Sequence, residues 1–349
     1  MKKKLNGLTW DNPRGWGPLE AALKAFQKTP QGRDLDISWD IQPLSGFESR
    51  SLAETTTLYD LIILDHPHIG EAAENKWLQP IGLLPDDYVG ASRDSYFWNN
   101  QQWTFPLDAA CHVCAVREDS FDCCPTEITS LLASDTNIRF GIPLSGVHAL
   151  MAAYSLATGL GSTSQNNDSK NKSRQAMELL HQLKLKAHPD SISWNPIQAL
   201  QALVYRQIDV VLFTFNYIDF QNESNVLYRA LPTLNGVSLQ GVLGGTGLAV
   251  SSRCEYPEIA LDFGRFLSSP EIQSGLWIEN HGQPAHRTAW QKLATLHPQN
   301  LVVAQALENS WMRPRYSGWN QWQTDFGIKL NDRLKDKKET LPLELIFEN

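Results

Sequence analysis

The amino-acid sequence predicts an α/β protein of two lobes that are joined by more than one extended strand. The chain has 349 residues, which is enough for two domains. Strand and helix signals alternate over residues 1–80. Two extended segments, residues 102–116 and 236–247, are typical of strands that cross from one lobe to the other. We therefore expect two α/β lobes.

The first lobe is predicted from apolar strands that are separated by helices. Leu5–Trp10 is a short apolar strand, and the turn after it leads into a helix whose residues 19–26 carry one apolar stripe. Leu35–Ile41 alternates like a strand, Arg50–Leu58 can form a helix, and Tyr59–Leu64 is continuously apolar. Continuous apolar strands spaced by helices indicate a parallel sheet that is covered on both faces.

The rest of the chain alternates in the same way after a long extended segment. That segment, Gln102–Val116, is interrupted at Pro106, and the polar stretch Gly161–Ser173 is predicted to be an exposed loop. Helices are predicted at residues 121–133, 147–158, 174–186, 196–206, 255–267 and 270–280 and over most of the remainder to Lys337, and strands at residues 138–143, 209–215, 226–231 and 248–250. The first lobe would comprise residues 1–107 and 248–297, and the second residues 108–247 and 298–349.

The composition argues against several classes of protein. The net charge of −8 disfavours nucleic acid as a partner, because phosphate binding requires a basic face. No apolar stretch approaches the ~18 residues that a membrane span needs. Three lysines follow Met1, as in a signal peptide, but the apolar region that must come next is missing. We expect either that an export signal has been removed or, if Met1 is the native start, that the protein is cytoplasmic.

The five cysteines form no clear disulfide or metal pattern. Their odd number favours a reducing compartment. Cys111 and Cys114 lie three residues apart on a predicted strand and so point to opposite faces, which argues against a shared metal ion. We expect small buried side chains at these positions in preference to the alternative of a metal or redox site, and we expect no cofactor.

No catalytic or nucleotide-binding signature is present. The glycine-rich residues 241–247 lead into a strand, whereas a dinucleotide-binding loop leads into a helix. No Gly-x-Ser-x-Gly, Walker lysine, His-Glu-x-x-His or kinase signature occurs. We therefore do not expect an enzyme.

The order of these features resembles that of the family 1 extracellular solute-binding proteins, which serve ABC importers. The opening strand, polar turn and helix (LTWDNPRGWGPLEAALKAF), the strand Tyr59–Leu64 with Asp65–Gly70 after it, and the crossing at residues 103–116 all match. The most specific stretch is residues 231–286, with a proline at a strand end, a glycine-rich crossing, an apolar strand, a helix, a Ser-Pro helix start and a Gly-x-Pro. The likeness covers nearly the whole chain.

The resemblance implies a periplasmic-binding-protein-like fold, in which two lobes hold a ligand in the cleft between them. The chain looks most like a branch of these maltose-binding-protein-like proteins with three motifs: Trp-Asp-x-Pro-Arg-Gly, Asp-His-Pro-His-x-Gly and Arg-Pro-Arg-Tyr-x-Gly-Trp. Sugar-binding members carry charged residues at the first turn and after the third strand. Here these positions hold Asp11, Arg14, His66 and His68, so the expected ligand is another small polar molecule.

Ligands of open α/β sheets lie beyond the carboxyl ends of the strands. Arg14 follows the first strand at a helix N-terminus, where free backbone N–H groups favour anions. It is predicted to clamp a carboxylate or phosphate, or alternatively to be a surface residue that neutralises Asp11. Asp65, His66 and His68 follow the third strand and are predicted to contact the ligand, to support the loop or to bind a metal.

The other candidate residues come from the second lobe, the crossings and the C-terminal motif. Asn216 and Tyr217 follow a strand, and His148 begins a helix. Arg313 and Arg315 flank a proline and cannot easily face the same side. Arg315 is the preferred candidate for ligand contact. The predicted ligand-binding residues are Trp10, Asp11, Arg14, Trp16, Asp65, His66, His68, Asp108, His148, Asn216, Tyr217, Gly245, Thr246, Arg315, Tyr316 and Trp319.

Together these features predict capture of a small polar, anionic molecule by hinge closure, for ABC-type import. Arg14 and Arg315 would hold the anionic group. The expected partners are the small-molecule ligand and ABC permease subunits, and the protein itself is expected to be a monomer. The alternatives are a carbohydrate-binding member of the same family, and a cytoplasmic ligand sensor or an enzyme on this fold.

Overall fold

The computed structural model describes residues 2–44, 46, 50–161 and 167–335, the side chains of residues 167–169 excepted. The chain divides into two compact units. Unit 1 comprises the described residues within Met1–Ala110, Gly244–Leu301 and Arg315–Asn320, and unit 2 those within Cys111–Leu243, Val302–Pro314 and Gln321–Asn349. Within the described part of the chain, no helix combines the length and the apolar character that a membrane crossing requires.

Strands and helices alternate along the chain. The strands are β1 (Lys3–Trp10), β2 (Leu35–Gln42), β3 (Leu61–Leu64), β4 (Phe97–Trp98), β5 (Gln101–Gln102), β6 (Phe105–Arg117), β7 (Phe140–Gly141), β8 (Val210–Phe215), β9 (Val226–Arg229), β10 (Thr233–Leu234), β11 (Val237–Ser238) and β12 (Leu243–Val250). The helices are α1 (Pro13–Phe26), α2 (Leu52–Leu58), α3 (Ile69–Glu74), α4 (Val147–Gly159), α5 (Asn167–Lys186), α6 (Pro196–Val204), α7 (Ile218–Ser224), α8 (Pro257–Leu267), α9 (Pro270–Ser274), α10 (Leu276–Glu279), α11 (Arg287–Leu296), α12 (Gln299–Glu308) and α13 (Trp319–Lys335). Short 3₁₀ helices cover His66–His68, Asp94–Tyr96, Glu118–Cys123, Ile128–Leu132 and Pro189–Ile192.

Unit 1 is built on a mixed sheet in the order β2, β1, β3, β12, β6. Strand β1 is parallel to both β2 and β3, and β12 runs antiparallel to β3. This confirms the predicted α/β class and the parallel pairing of the first strands. Because β1 and β3 are parallel, their carboxyl ends lie at the same edge of the sheet. The residues after Trp10 and those after Leu64 are therefore brought to one edge.

Unit 2 is built on the second half of β6, from Cys111 onward. This part of β6 pairs antiparallel with β8 and with β9, and β7 runs parallel to β8. Every residue of α4 is buried. Every residue of β6 is buried as well, which explains why most of its side chains are apolar.

Three predicted elements differ from the structure. Residues 121–133 form two 3₁₀ helices and no α-helix, because Pro125 lacks the N–H that a helix interior needs. Strand β6 continues through Pro106, which is tolerated near the beginning of a strand. The stretch predicted as a loop from Gly161 is helical from Asn167, since polarity reports exposure and not backbone conformation; residues 162–166 lie outside the described residues.

The boundaries of the units also differ from those predicted. Unit 1 includes four segments that were predicted to belong to the second lobe: residues 108–110, 244–247, 298–301 and 315–320. The hydrogen bonds of Arg315 are one reason why residues 315–320 belong to unit 1. Arg315 Nη1 donates to the carbonyl oxygens of Asp94, Ser95 and Phe97 at 2.6, 3.2 and 2.9 Å, and all three belong to unit 1.

Candidate ligand-binding site at the strand ends

Helix α1 begins directly after β1 and carries the predicted ligand residues Arg14 and Trp16. Asn12 caps the helix, since its Oδ1 accepts a hydrogen bond from the amide of Arg14 at 3.0 Å. The carbonyl oxygen of Asn12 accepts from the amides of Gly15 and Trp16. Pro13, at the first helical position, has no N–H. These amides are already used, which contradicts the prediction that free N–H groups at this helix end would favour an anion.

Arg14 is buried, and its partner is Asp108 on β6. The Nε and Nη2 atoms of Arg14 donate to the two carboxylate oxygens of Asp108. Each side chain is only 4% exposed. The alternative that Arg14 is a surface residue is therefore wrong, and it is Asp11 that lies exposed. A bidentate arginine–carboxylate pair fixes the orientation of both groups.

Opposing effects act on the pKa of Asp108. Burial raises it, the charge and hydrogen bonds of Arg14 lower it, and the nearby carboxylate of Asp65 raises it again.

The guanidinium carbon of Arg14 lies 5.9 Å from the ring centroid of Trp10. Five of the predicted residues thus lie together at the edge where β1 and β3 end. We call Trp10, Arg14, Asp65, His66 and Asp108 the strand-end cluster.

The residues after β3 form the 3₁₀ turn His66–His68, which Asp65 caps. Oδ1 of Asp65 accepts from the amide of His66 at 2.8 Å and lies 3.0 Å from His66 Nδ1. His68 contacts Asn320 instead, whose Nδ2 lies 2.8 Å from His68 Nδ1. The three side chains do not form a convergent metal-ligand group in the described structure. The metal alternative is therefore not supported, and ligand contact and loop support remain.

Gly245 and Thr246 lie on β12, next to β6. Gly245 has a φ of +117°, and a Cβ atom there would lie 2.2 Å from the carbonyl oxygen of Asp108. Only glycine combines this backbone conformation with so close an approach. Gly245 therefore lets the backbone of β12 pass close to Asp108, and Thr246 beside it is 8% exposed.

The part of the C-terminal motif from Arg315 to Trp319 serves the interior of unit 1. Besides its three carbonyl partners, the Arg315 guanidinium carbon lies 5.3 Å from the ring centroid of Trp98. The rings of Tyr316 and Trp319 meet edge to face with centroids 5.6 Å apart, and Trp319 is fully buried. The Arg315 side chain thus has a bonding role inside the unit. Its contact with a ligand anion stays a prediction.

The predicted residues of unit 2 are all buried. Asn216 follows β8, and its Oδ1 accepts from the amide of Cys111 at 3.0 Å. The amide of Tyr217 donates to the hydroxyl of Tyr228 at 2.9 Å. His148 lies in the first turn of α4 and is 4% exposed.

His112 and Arg313 form a second buried polar group in unit 2, which the sequence did not predict. His112 Nδ1 lies 3.0 Å from Ser155 Oγ. Burial, together with His148 and Arg313, lowers the pKa of His112 well below its usual range, so this imidazole is neutral at pH 7. Arg313 is 1% exposed. The one signal in the sequence was a histidine within an otherwise apolar strand, which is also the pattern of a core residue.

The strand-end cluster can hydrogen-bond a polar ligand without a large net charge. The carboxylates accept hydrogen bonds from hydroxyl groups, the guanidinium donates them, and an imidazole can do either. Trp10 adds an apolar ring face. Because the charges of Arg14 and Asp108 offset each other, the cluster is suited to hydroxyl groups more than to a carboxylate or phosphate.

Comparisons with known proteins agree with this architecture. No protein-family model matches the chain, and no curated protein matches it. The maltose-bound MalE3 of T. maritima is 16% identical with a TM-score of 0.83, over 97% of this chain and 96% of its own. A ribitol-bound ABC transporter solute-binding protein of Agrobacterium radiobacter K84 is 19% identical with a TM-score of 0.80, over 97% and 95%. The ABC substrate-binding protein Lmo0181 of Listeria monocytogenes, in complex with cycloalternan, is 15% identical with a TM-score of 0.77, over 96% and 94%. The chain therefore has the fold of the ABC-transporter solute-binding proteins.

Proposed function

We propose that this protein is a solute-binding protein that captures a small, neutral, polyhydroxylated molecule for ABC-type import. The observation that carries the proposal is the buried bidentate pair of Arg14 and Asp108, with Asp65 and His66 beside it. Such a cluster offers donors and acceptors together with little net charge. A ligand with several hydroxyl groups can satisfy both kinds of group.

An anionic ligand, the first expectation from the sequence, becomes the second candidate. An anion is best held by a cation whose charge is not already offset, or by free helix amides. Arg14 shares its charge with Asp108, and the first amides of α1 are engaged. Asp65 adds a negative charge nearby. The solved structures with this fold described above contain maltose, ribitol and cycloalternan, which are neutral and polyhydroxylated.

Hinge closure is part of the proposal. Arg14 is 5% and His66 is 1% exposed, so a ligand needs a more open form of the protein to reach the strand-end cluster. Closure follows binding when the ligand interacts more strongly with the closed form than with the open one. The importer partner and the absence of catalysis are proposed from the fold.

The neutral-ligand proposal predicts the outcome of a ligand screen. At least one neutral sugar or polyol is expected to raise the melting temperature and to give a saturable isotherm in titration calorimetry. At a ligand concentration of 100 times Kd, the gain in unfolding free energy is about 2.7 kcal/mol. Organic acids of similar size are the comparison set, and native mass spectrometry of freshly purified protein gives the mass of a co-purified ligand. If only the acids bind, the neutral-ligand proposal is overturned.

The substitution Asp65→Asn is expected to weaken binding of that ligand about tenfold, while leaving the fold intact. An asparagine oxygen can still cap the 3₁₀ turn as Asp65 Oδ1 does. The charged acceptor offered to a ligand hydroxyl is lost. Asp60→Asn is the matched control, because Asp60 lies before the amino end of β3 and accepts from the amide of Asn6 at 2.9 Å. Equal affinities of the two variants, measured by calorimetry, would contradict the role of Asp65.

A further inference from the structure

Unit 2 contains a pair of cysteines that the proposed function does not use. Cys114 lies on β6, and Cys124 follows the 3₁₀ helix Glu118–Cys123. Their Sγ atoms are 3.4 Å apart, and both thiols are free. A disulfide bond is ~2.05 Å long, so the two sulfur atoms need to approach each other by only about 1.4 Å.

The two thiols differ in exposure. Cys114 is fully buried, whereas Cys124 is half-buried. An oxidant in solution can therefore reach Cys124 more easily than Cys114. This difference would make Cys124 the attacking thiol and Cys114 the resolving thiol.

A positive charge lies beside the pair. Arg229 is opposite Cys114 in the register of β6 and β9, and its guanidinium carbon lies 4.2 Å from the ring centroid of Phe121. The hydrogen bond from Cys114 and the charge of Arg229 lower the pKa of Cys124 despite its partial burial. The same hydrogen bond, together with burial, raises the pKa of Cys114. The thiolate, which is the reactive form, is thus favoured at the more accessible of the two sulfur atoms.

We propose that Cys114 and Cys124 are a peroxide-sensitive dithiol that closes to a reversible disulfide. The Cys124 thiolate attacks one oxygen of hydrogen peroxide, the O–O bond breaks, and the products are a sulfenic acid on Cys124 and a hydroxide ion that takes up a proton. The Cys114 sulfur then attacks the sulfenic sulfur, so that the S–S bond forms as the S–O bond breaks. The thiol proton leaves with the hydroxide as water. Two thiols and one peroxide give one disulfide and two water molecules.

The disulfide would tie β6 to the segment that follows the 3₁₀ helix. It would close a short ring from Cys114 to Cys124 and so restrict the unfolded chain. Oxidation is therefore expected to raise the melting temperature of the protein by about 5 °C. Dithiothreitol is expected to reverse the rise.

The test is peptide mapping of the full chain after treatment with an equimolar amount of hydrogen peroxide. The protein is expected to lose the mass of two hydrogen atoms and to yield a peptide linked through Cys114 and Cys124, which dithiothreitol removes. Cys114→Ser and Cys124→Ser are expected to lack this link. Cys123→Ser is the matched control and is expected to keep it, because it removes the neighbouring half-buried thiol alone. A link through Cys123, a link between two chains or no link at all would overturn the proposal.

Two further measurements do not depend on the folding of the serine variants. In the unsubstituted protein, the pH profile of Cys124 alkylation is expected to have its midpoint below that of a free cysteine, and a midpoint above it counts against the proposal. Arg229→Met is expected to slow this alkylation at neutral pH by about threefold or more, whereas Arg229→Lys keeps the positive charge and most of the rate. Equal rates in the two variants would rule out the role of Arg229.

Discussion

Replacing Arg14 by methionine is expected to lower the free energy of unfolding by about 3–5 kcal/mol at pH 7. The substitution removes the bidentate partner of Asp108 and leaves a carboxylate that is 4% exposed. An unpaired buried charge costs far more than the net contribution of an intact pair. Urea denaturation, followed by tryptophan fluorescence, measures the loss.

The loss is expected to grow with pH. Without Arg14, burial and the nearby carboxylate of Asp65 both raise the pKa of Asp108. The folded variant then keeps a proton on Asp108 at pH values where the unfolded chain, with a pKa of ~3.9, has released it. Stability therefore falls as pH rises through the window between the unfolded and the folded pKa. The deficit relative to the unsubstituted protein should be smaller at about pH 5 than at about pH 8.

The double variant Arg14→Met with Asp108→Leu is the control for this mechanism. Replacing both members of a buried pair by apolar side chains of similar volume is often close to neutral for stability. The double variant is expected to recover most of the loss and to show no extra pH dependence. If it is as unstable as Arg14→Met alone, the loss comes from packing, and the uncompensated charge of Asp108 is not its cause.

Replacing Arg315 by methionine is expected to lower the free energy of unfolding by about 3 kcal/mol. The physical reason is that one guanidinium nitrogen serves the carbonyl oxygens of Asp94, Ser95 and Phe97. The substitution removes these three hydrogen bonds and leaves the three carbonyl oxygens without this donor. Arg315 is only 8% exposed, so water has little access to replace it. Denaturant unfolding measures the effect. Arg253→Met, at an exposed position, is the matched control and should change stability by less than about 0.5 kcal/mol.

The same variants separate a structural role of Arg315 from a role in ligand binding. Arg315→Lys is expected to recover part of the stability, because an ammonium group can donate to the same carbonyl oxygens but lacks the planar group that lies over Trp98. Ligand affinity of the folded Arg315→Lys protein is expected to be unchanged in titration calorimetry. A large loss of affinity with little loss of stability would return Arg315 to the ligand role predicted from the sequence.

The candidate site could be predicted in part. The rule that ligands lie beyond strand ends singled out Trp10, Arg14, Asp65 and His66, and the parallel pairing of β1 with β3 brings them to one edge of the sheet. The sequence predicted free backbone amides beside Arg14. It could not show that these amides are engaged, because that depends on the hydrogen bonds that Asn12 accepts in the folded chain. His112 was missed since a histidine inside an apolar strand has the pattern of a core residue.

The sequence by itself determined the α/β class, most of the strands and helices, and the order of features shared with solute-binding proteins. These depend on apolar periodicity and turn residues, which act between near neighbours in the chain. Only the tertiary structure decided the partners: Asp108 is 94 residues from Arg14, and Asp94 is 221 residues from Arg315. Charge pairing and thiol pairing depend on distances in space. The sequence pattern contains no information about those distances. For the same reason, the contact between Cys114 and Cys124 is seen only in the folded chain.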